Sequence, residues 1–359
     1  MSRQPAQQRG LFIGPWDRGG ISTINRQVVD LMARSGVCEC HILNTTPCRE
    51  FNKLAGYGML YVLAVIKILR TRCDFVYVQI SQTGFFHQSL FLLLAKLFRR
   101  RTLAHFHAKP SVSATVTPKN LSRILSSQRY IDELIVLSDS TKQDLEKCGW
   151  KNPVHVLPNF IDAAKYPAEI LPVKEREYIV YLGRMDKRKG IFKVLEVARA
   201  IPEEKFLFVG PFEDVETERA FQAKASPFPN VKWMGPVYDD KKIDVLQKAK
   251  LMLLPSDSEV FPMTILECSF CGVVPFATRV GMIGDIITHG VNGFLIDPDA
   301  PAQTAGLVRE LLAGPQRWAI IAANCQKEVR ARFTTSVIGP NLASILQNGK
   351  TANTIVYAD

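Results

Sequence analysis

The chain has 359 residues, of which 47% are hydrophobic and 22% are charged, a composition typical of a folded globular protein. This length exceeds what one ordinary hydrophobic core holds, so it predicts two domains. No apolar tract is long enough to span a bilayer, because the two most apolar stretches, residues 57–69 and 90–98, are short and each contains a lysine.

The net charge of +11 is concentrated in the N-terminal half. Residues 1–170 carry 22 Lys and Arg against 12 Asp and Glu, whereas the remaining residues carry 23 against 22. The basic half is either an ordinary solvated surface or a surface for an anionic partner, such as a phospholipid headgroup, a lipid pyrophosphate or a nucleic acid. The first nine residues are polar and lack an apolar signal core, so we expect a cytoplasmic protein.

Short apolar runs alternate with helical patterns along the first half of the chain. The strand candidates are residues 10–14, 40–44, 75–80, 102–106, 134–137 and 154–157, and the helix candidates are residues 21–34, 59–70, 88–99 and 141–148. Nearly continuous apolar runs predict strands that are covered on both faces, and hence a parallel sheet with right-handed crossovers.

The second half repeats this alternation. Its strand candidates are residues 179–182, 206–209, 231–234, 252–254, 273–276 and 294–296, and its helix candidates are residues 191–201, 241–248, 264–270, 303–313 and 316–333. The pattern predicts an α/β protein with two doubly wound, Rossmann-like domains. We place these domains at residues 1–165 and 166–334, with a tail at about 335–359 that can pack back onto the first. Because ligands bind beyond the carboxyl ends of such strands, we expect the site in a cleft between facing domains.

An acidic motif follows the strand at residues 252–254. Glu259 lies in the loop and Glu267 lies about a turn and a half into the next helix, so each carboxylate can hold a pair of hydroxyls, as on a sugar and a ribose. The free N–H groups at the start of that helix suit an anionic phosphate. The residues that open the helix are Phe261, Pro262, Met263 and Thr264. The alternative is a strand–loop–helix corner with two surface glutamates.

A cationic turn, residues 183–190, follows the strand at residues 179–182. It begins with Gly183 and contains Arg184 and Lys189. A diphosphate leaving group gains negative charge as its bond to a sugar breaks, and nearby cations lower that barrier. The spacing is not that of a P-loop, because no Ser or Thr follows the lysine.

Together, these two motifs resemble the E-x7-E region and the basic turn of retaining glycosyltransferases of family 4, which have the GT-B fold. The resemblance implies that Glu259 contacts hydroxyls of the transferred sugar and that Glu267 contacts the donor ribose. It also implies that Arg184 and Lys189 neutralise the diphosphate, and that the backbone at Gly183 and at residues 261–264 lies against the donor.

The N-terminal half contains weaker matches. Gly19 and Gly20 follow the first strand and resemble the family's first loop, where paired glycines let the backbone approach the donor; a plain tight turn is the alternative. Strand alternation puts His105 and His107 on the same face. The resemblance implies that His107, nearer the carboxyl end, lies near the reactive carbon of the sugar and that His105 is structural.

Other positions match or depart from the family's pattern. The turn formed by Gly235, Pro236 and Val237 matches it and would contact the base. Phe160, Met282 and Asp285 depart from it, replacing Gly, Gly and Glu respectively, which puts the local geometry at those positions in question.

The sequence therefore predicts a retaining hexosyltransferase that uses a UDP- or GDP-linked sugar and a hydroxyl acceptor. We expect the acceptor to be a glycan or a lipid-linked glycan of cell-surface polysaccharide biosynthesis. No cofactor and no metal are expected, because Arg184, Lys189 and helix N–H groups can neutralise the diphosphate.

Two alternative functions stay open, and so does the role of two basic segments. A same-fold sugar-nucleotide epimerase or phosphorylase would carry similar motifs, and a non-catalytic sugar-nucleotide-binding protein would need only the donor site. Residues 57–72 and 89–101 are either ordinary sheet-packing helices with basic ends or a face for an anionic membrane. No nucleic-acid partner is expected, since neither a helix-turn-helix pattern nor a set of stacking aromatics is present.

Overall fold

The computed structural model describes residues 7–17, 19–46, 53–81, 84–107 and 118–347. These residues form two compact units. Ile161–Thr334 makes up the second unit, and the described residues before and after it make up the first.

The first unit contains one six-stranded parallel sheet. Its strands are β1 (Gln8–Gly14), β2 (Cys38–Asn44), β3 (Phe75–Ser81), β4 (Arg101–His107), β5 (Glu133–Val136) and β6 (Val154–Val156), in the spatial order β2-β1-β3-β4-β5-β6. The helices that follow the strands are α1 (Gly20–Arg34), α2 (Lys53–Thr71), α3 (Phe85–Leu97), α4 (Pro118–Ser126) and α5 (Asp139–Lys147).

The second unit contains another six-stranded parallel sheet. Its strands are β7 (Tyr178–Leu182), β8 (Phe206–Val209), β9 (Val231–Gly235), β10 (Ala249–Leu254), β11 (Val274–Thr278) and β12 (Phe294–Ile296), in the order β12-β11-β10-β7-β8-β9. Its helices are α6 (Ile191–Ala200), α7 (Val215–Ala225), α8 (Asp239–Gln247), α9 (Met263–Phe270), α10 (Ile283–Ile286), α11 (Pro301–Ala313) and α12 (Pro315–Arg332). This is the strand order of the doubly wound dinucleotide-binding fold.

The central strands explain why the sheets are readable in the sequence. In β10, Leu251 to Leu254 are all buried, and so are Ile179 to Leu182 in β7. A strand covered by helices on both faces has no polar side, so it appears as an unbroken apolar run. All twelve predicted strands are present, and none of their ends differs from the prediction by more than three residues.

Four helices of the structure are absent from the sequence prediction. They are α4, α7, α10 and a thirteenth helix, α13 (Thr335–Leu346). In α7 the start signal is visible in retrospect, because the Asp214 carboxylate accepts a hydrogen bond from the Thr217 N–H at 2.7 Å. In α13, Pro340 lies inside the helix and makes the sequence look like a break.

Helix α13 belongs to the first unit although it follows the second in the chain. The Arg101 guanidinium donates to the carbonyl oxygens of Leu346 at 2.7 Å and Ile345 at 2.6 Å, at the end of α13. Its Nε also donates to Glu133 at 2.6 Å. One partly buried arginine thus satisfies two of the terminal carbonyls of α13, which have no partner within the helix.

Across the ranges that the structure describes, no helix combines the length and the apolar character needed to cross a membrane.

Candidate active site

The site of the second unit lies where its strand order reverses. Strands β7 and β10 are neighbours in the sheet, but the chain continues from them to opposite edges. The loops that follow the two strands therefore diverge and leave a crevice beyond their carboxyl ends. The cationic turn follows β7 and the acidic loop follows β10, so the fold brings both sequence motifs to this crevice.

Lys189 and Glu259 form an ion pair in the crevice. The Lys189 ammonium lies 2.7 Å from each carboxylate oxygen of Glu259. The Ser256 hydroxyl donates to one of these oxygens at 2.9 Å. The Glu259 side chain is only 7% exposed, and that of Lys189 is 30% exposed. A carboxylate this buried requires hydrogen-bond partners, and Lys189 and Ser256 together hold it in place.

Two glycines allow the backbone to close around this pair. Gly190 has φ +82°, and a Cβ there would lie 2.3 Å from the Pro255 carbonyl oxygen. Gly281 has φ +57°, and a Cβ there would lie 2.1 Å from the carbonyl oxygen of Glu259. Both positions combine a left-handed backbone with a contact that excludes a side chain. The next residue, Met282, donates its N–H to the Val260 carbonyl at 3.0 Å, so the departure from the family's glycine leaves this backbone contact in place.

Arg184 lies on the same turn, where a buried aspartate orients it. Its guanidinium is 2.6 Å from the Asp186 carboxylate, which also accepts the Arg188 N–H at 2.8 Å. Burial opposes the charge on Asp186, but these hydrogen bonds and cations outweigh it and lower the pKa of the carboxyl. The Arg184 side chain is half exposed, so part of its guanidinium is available to an anion.

Glu267 lies on α9 with a lysine partner that the sequence did not reveal. The Lys242 ammonium, from α8, lies 2.5 Å from a Glu267 carboxylate oxygen, and the Glu267 side chain is 8% exposed. A ribose that binds Glu267 therefore meets a carboxylate whose position is already fixed. Lys242 is 25 residues from Glu267 in sequence, and no spacing rule links the two.

Helix α9 begins at Met263, so Phe261 and Pro262 precede the helix instead of opening it. Pro262 is the N-cap of the helix, one residue before its first turn. The N–H groups of Met263 and Thr264 have no carbonyl partner within the helix, as at any helix start. Phe261 is buried with its ring 5.5 Å from that of Phe333, so this wall of the crevice is rigidly packed.

The other predicted donor contacts of the second unit are Gly183 and the turn at Gly235. Gly183 directly follows β7 and donates its N–H to the Val209 carbonyl. Gly235, with φ +82°, ends β9, and Pro236 and Val237 continue from it. Strand β9 is an edge strand separated from β7 by β8, so this turn lies further along the crevice than Lys189.

In the first unit, the rings of His105 and His107 pack against each other at the end of β4, tilted by 40°. Their centroids are 4.2 Å apart, and both side chains are buried. His105 Nδ1 lies 2.5 Å from the Tyr77 hydroxyl, which fits a structural histidine. Burial lowers the pKa of His107 to about 3, so its imidazole is neutral near pH 7. Within the part of the chain that the structure describes, His107 Nε2 has no hydrogen-bond partner.

Gly19 and Gly20 lie at the amino end of α1, after β1, as predicted. Gly19 has φ +144° and is the N-cap of the helix, and a Cβ on either glycine would meet no described atom within 4 Å. Arg18, the residue before them, lies outside the described residues. The backbone at this helix start is thus open to a ligand.

Two Rossmann-like parallel sheets, with a cation and carboxylates at the switch point of the second, define an α/β protein of the GT-B class. Residues 162–331 match the family model described as glycosyl transferases group 1. The match covers most of the second unit and just under half of the chain. The predicted GT-B glycosyltransferase is confirmed, whereas the retaining mechanism and the roles of Glu259 and Glu267 stay predictions.

Solved structures support the fold class. Sucrose-phosphate synthase from Thermosynechococcus elongatus aligns with a TM-score of 0.78 and 18% identity over 95% of this chain and 99% of that chain. HepE from Anabaena, in complex with UDP-glucose, aligns with a TM-score of 0.75 and 18% identity over 95% of this chain and all of that chain. At this identity the two matches define the fold alone, and they confirm the predicted α/β class.

Among curated proteins, similarity covers part of each chain. One of the proteins that make up the phosphatidylinositol N-acetylglucosaminyltransferase of Arabidopsis thaliana is 28% identical over 52% of this chain and 43% of its own length. The alpha-galactosylglucosyldiacylglycerol synthase of Streptococcus pneumoniae is 28% identical over 41% of this chain and 44% of its own length. The chain thus spans less than half the length of these relatives.

Proposed function

We propose that this protein is a retaining glycosyltransferase that moves a hexose-type sugar from a UDP- or GDP-linked donor to a hydroxyl acceptor. The observation that carries the proposal is the Lys189–Glu259 pair at the switch point of the second unit. An ammonium suits the donor's diphosphate and a fixed carboxylate suits the sugar's hydroxyls, and the two stand in direct contact where such a fold binds its ligand.

When the donor binds, Lys189 and Glu259 each gain additional hydrogen-bond partners. A diphosphate brings negative charge to the Lys189 ammonium, whose three N–H donors can serve a phosphate oxygen and Glu259 together. The Glu259 carboxylate has spare acceptor positions for two sugar hydroxyls. Glu267, held by Lys242, accepts hydrogen bonds from the ribose. The site is therefore organised before the donor arrives.

The chemical step follows from this arrangement. The bond between the anomeric carbon and the diphosphate oxygen breaks, and Lys189, Arg184 and the first N–H groups of α9 stabilise the negative charge that develops on the leaving group. The acceptor hydroxyl attacks the same face of the sugar, so the anomeric configuration is kept. Its proton passes to the departing phosphate oxygen. Glu259 orients the sugar and is not the nucleophile. The family resemblance implies that His107 lies near the reactive carbon of the sugar, and this role stays a prediction.

The acceptor is proposed as a glycan or a lipid-linked glycan. Two relatives carry names that refer to lipids, phosphatidylinositol and a glycosylated diacylglycerol. Their similarity supports a lipid-borne hydroxyl as one acceptor class. Glycans of cell-surface polysaccharide biosynthesis are the other class, and the cytoplasmic location expected from the sequence stays a prediction.

We also propose that the reaction needs no metal ion. Arg184 and Lys189 supply two positive charges at the turn where the diphosphate would lie. Within the described residues, no group of three or more His, Cys, Asp or Glu side chains is arranged to hold a metal. The proposal rests on the cations, and activity measured with a chelator tests it.

A donor-binding screen tests the proposed site. Isothermal titration of UDP-, GDP-, ADP- and CMP-linked sugars should show binding for one nucleotide class, weakened at least about tenfold in Lys189→Ala and Glu267→Ala. Lys187→Ala is the matched control, since it removes an exposed cation from the same turn and should bind like the wild type. Equal binding by Lys189→Ala and the wild type would contradict the assignment.

A further inference from the structure

Helix α2 exposes an apolar face. Five of its large side chains are 38–60% exposed, and their spacing of three or four residues places them on one side of the helix. This α2 stripe consists of Met59, Val62, Leu63, Ile66 and Leu69. The opposite side buries Leu60, Ala64 and Ile68 in the core of the first unit. A helix on a protein surface normally presents polar residues to water. The stripe therefore marks a surface that binds an apolar partner.

The same part of the chain is strongly basic. Residues 51–131 contain twelve Lys and Arg and a single acidic residue, Asp74, so this stretch alone has a formal charge of +11. That value equals the net charge of the whole protein. A cationic, apolar surface of this kind selects an anionic, amphipathic partner.

The cations gather at one end of the stripe. Arg70 is exposed and lies one turn beyond Ile66 on the same side of α2, and Arg72 follows at the end of the helix. Helix α3 packs beside α2 and runs in the same direction, because both connect parallel strands of one sheet. Its exposed Arg99 therefore lies at the corresponding end.

These arginines are available to an external anion. Two other cations of the region are paired, Lys96 with Asp132 and Arg101 with Glu133. Arg70, Arg72 and Arg99 have no carboxylate partner among the residues that the structure describes.

We propose that the α2 stripe and these arginines dock the first unit on the surface of an anionic phospholipid bilayer. The stripe would enter the boundary between headgroups and acyl chains, with α2 parallel to the surface, while the arginines bind lipid phosphates. The inference deepens the proposed function by bringing the protein to lipid-linked acceptors. Its test measures no catalysis, so the two can fail separately.

A second copy of this chain fits the surface less well. Two copies joined through the stripe would bring their cationic regions together without acidic residues to neutralise them. The one carboxylate of residues 51–131, Asp74, already accepts the Arg9 backbone N–H at 2.7 Å. The charge therefore favours a lipid surface over a homodimer.

Vesicle flotation tests the docking face. The full chain is mixed with vesicles of phosphatidylcholine alone or with phosphatidylglycerol added to about 30%, an ordinary anionic content for such assays. Val62→Asp places a negative charge in the stripe, and Ile320→Asp is the matched control, since Ile320 is 62% exposed and Val62 60% exposed. Arg70→Gln with Arg99→Gln tests the cations.

We expect the wild type and Ile320→Asp to float with anionic vesicles and to stay behind with neutral ones. Val62→Asp should abolish flotation. In the double arginine variant, the affinity for anionic vesicles should fall roughly fivefold or more for each cation removed. Equal flotation of Val62→Asp and Ile320→Asp would overturn the proposal. So would a wild type that binds no vesicle and sediments as a dimer that Val62→Asp dissociates, since a second copy would then cover the stripe.

Discussion

Lys189 and Glu259 stabilise each other in the absence of a donor. The carboxylate is 7% exposed and receives hydrogen bonds from both Lys189 and Ser256. Removing the lysine leaves a buried negative charge with one neutral partner, which is costly in a weakly polar environment. The pair is therefore structural as well as functional, and a variant must be tested for both effects.

Lys189→Ala should lower the free energy of unfolding of the second unit by about 1–3 kcal/mol. Adding Glu259→Gln removes the unpaired charge, so the double variant should regain part of that loss. Urea unfolding of the two single variants and the double variant measures the coupling. Strictly additive losses would show that the two side chains do not depend on each other.

The buried histidines make the stability of the first unit depend on pH. Burial lowers the pKa of His107 from 6.5 to about 3, and it lowers the pKa of His105 as well. The unfolded chain therefore binds more protons than the folded chain between these values, and the free energy of unfolding falls as the pH drops below 6.5. Each histidine contributes a slope of up to about 1.4 kcal/mol per pH unit.

His107→Gln should remove one histidine's share of this slope. Urea unfolding between about pH 7 and about pH 5 should show a flatter pH dependence in the variant than in the wild type. The same slope in both proteins would mean that His107 is not buried in its neutral form.

At the scale of single residues, the sequence showed the site residues but not the contacts between them. Lys189 and Glu259 were found separately, each by its place after a strand, and their direct ion pair could not be read from a separation of 70 residues. Lys242 was missed because its only signal is its contact with Glu267 across two helices. Motifs report the order of residues, whereas tertiary packing decides which of them meet.

At the scale of elements, the loops after β10 and β11 fit closely. Gly281, after β11, lies against the Glu259 backbone, where a Cβ would be 2.1 Å from the carbonyl oxygen. Gly281→Ala should therefore displace the loop that carries Glu259 and weaken donor binding by about tenfold or more.

Gly290→Ala is the matched control for this change. Gly290 also has a positive φ, +76°, but a Cβ there meets no atom of the described residues within 4 Å. It should suffer the strain of a left-handed alanine, about 1–2 kcal/mol, without losing donor affinity. Isothermal titration of both variants separates the two effects, and equal affinities would contradict the role of the close contact.

The elements themselves were largely predictable. Strands such as β7 and β10 are continuous apolar runs because helices cover both faces of their sheet, so the sequence shows them directly. Helices α7 and α13 were missed for different reasons. The sequence of α7 is mostly polar and weakly periodic, and the proline within α13 resembles a terminator although tertiary contacts keep the helix intact.

At the scale of the whole molecule, the second unit contains both cations proposed to bind the donor diphosphate, Arg184 and Lys189. Because Arg184 and Lys189 supply their charge, we expect donor turnover to be unchanged by EDTA. A loss of turnover in EDTA that added magnesium restores would show that a metal carries part of this role.

Donor cleavage is the most direct test of the central claim, that Lys189 and Glu259 form a site for sugar transfer. The measurement is the release of nucleoside diphosphate, followed by NMR, from each candidate donor in the presence of the full chain. We expect release from one nucleotide class, reduced about 100-fold or more in Lys189→Ala and in Glu259→Ala, and unchanged in Lys187→Ala. Release from no donor, or equal release by the wild type and both site variants, would contradict the role of Lys189 and Glu259 in sugar transfer.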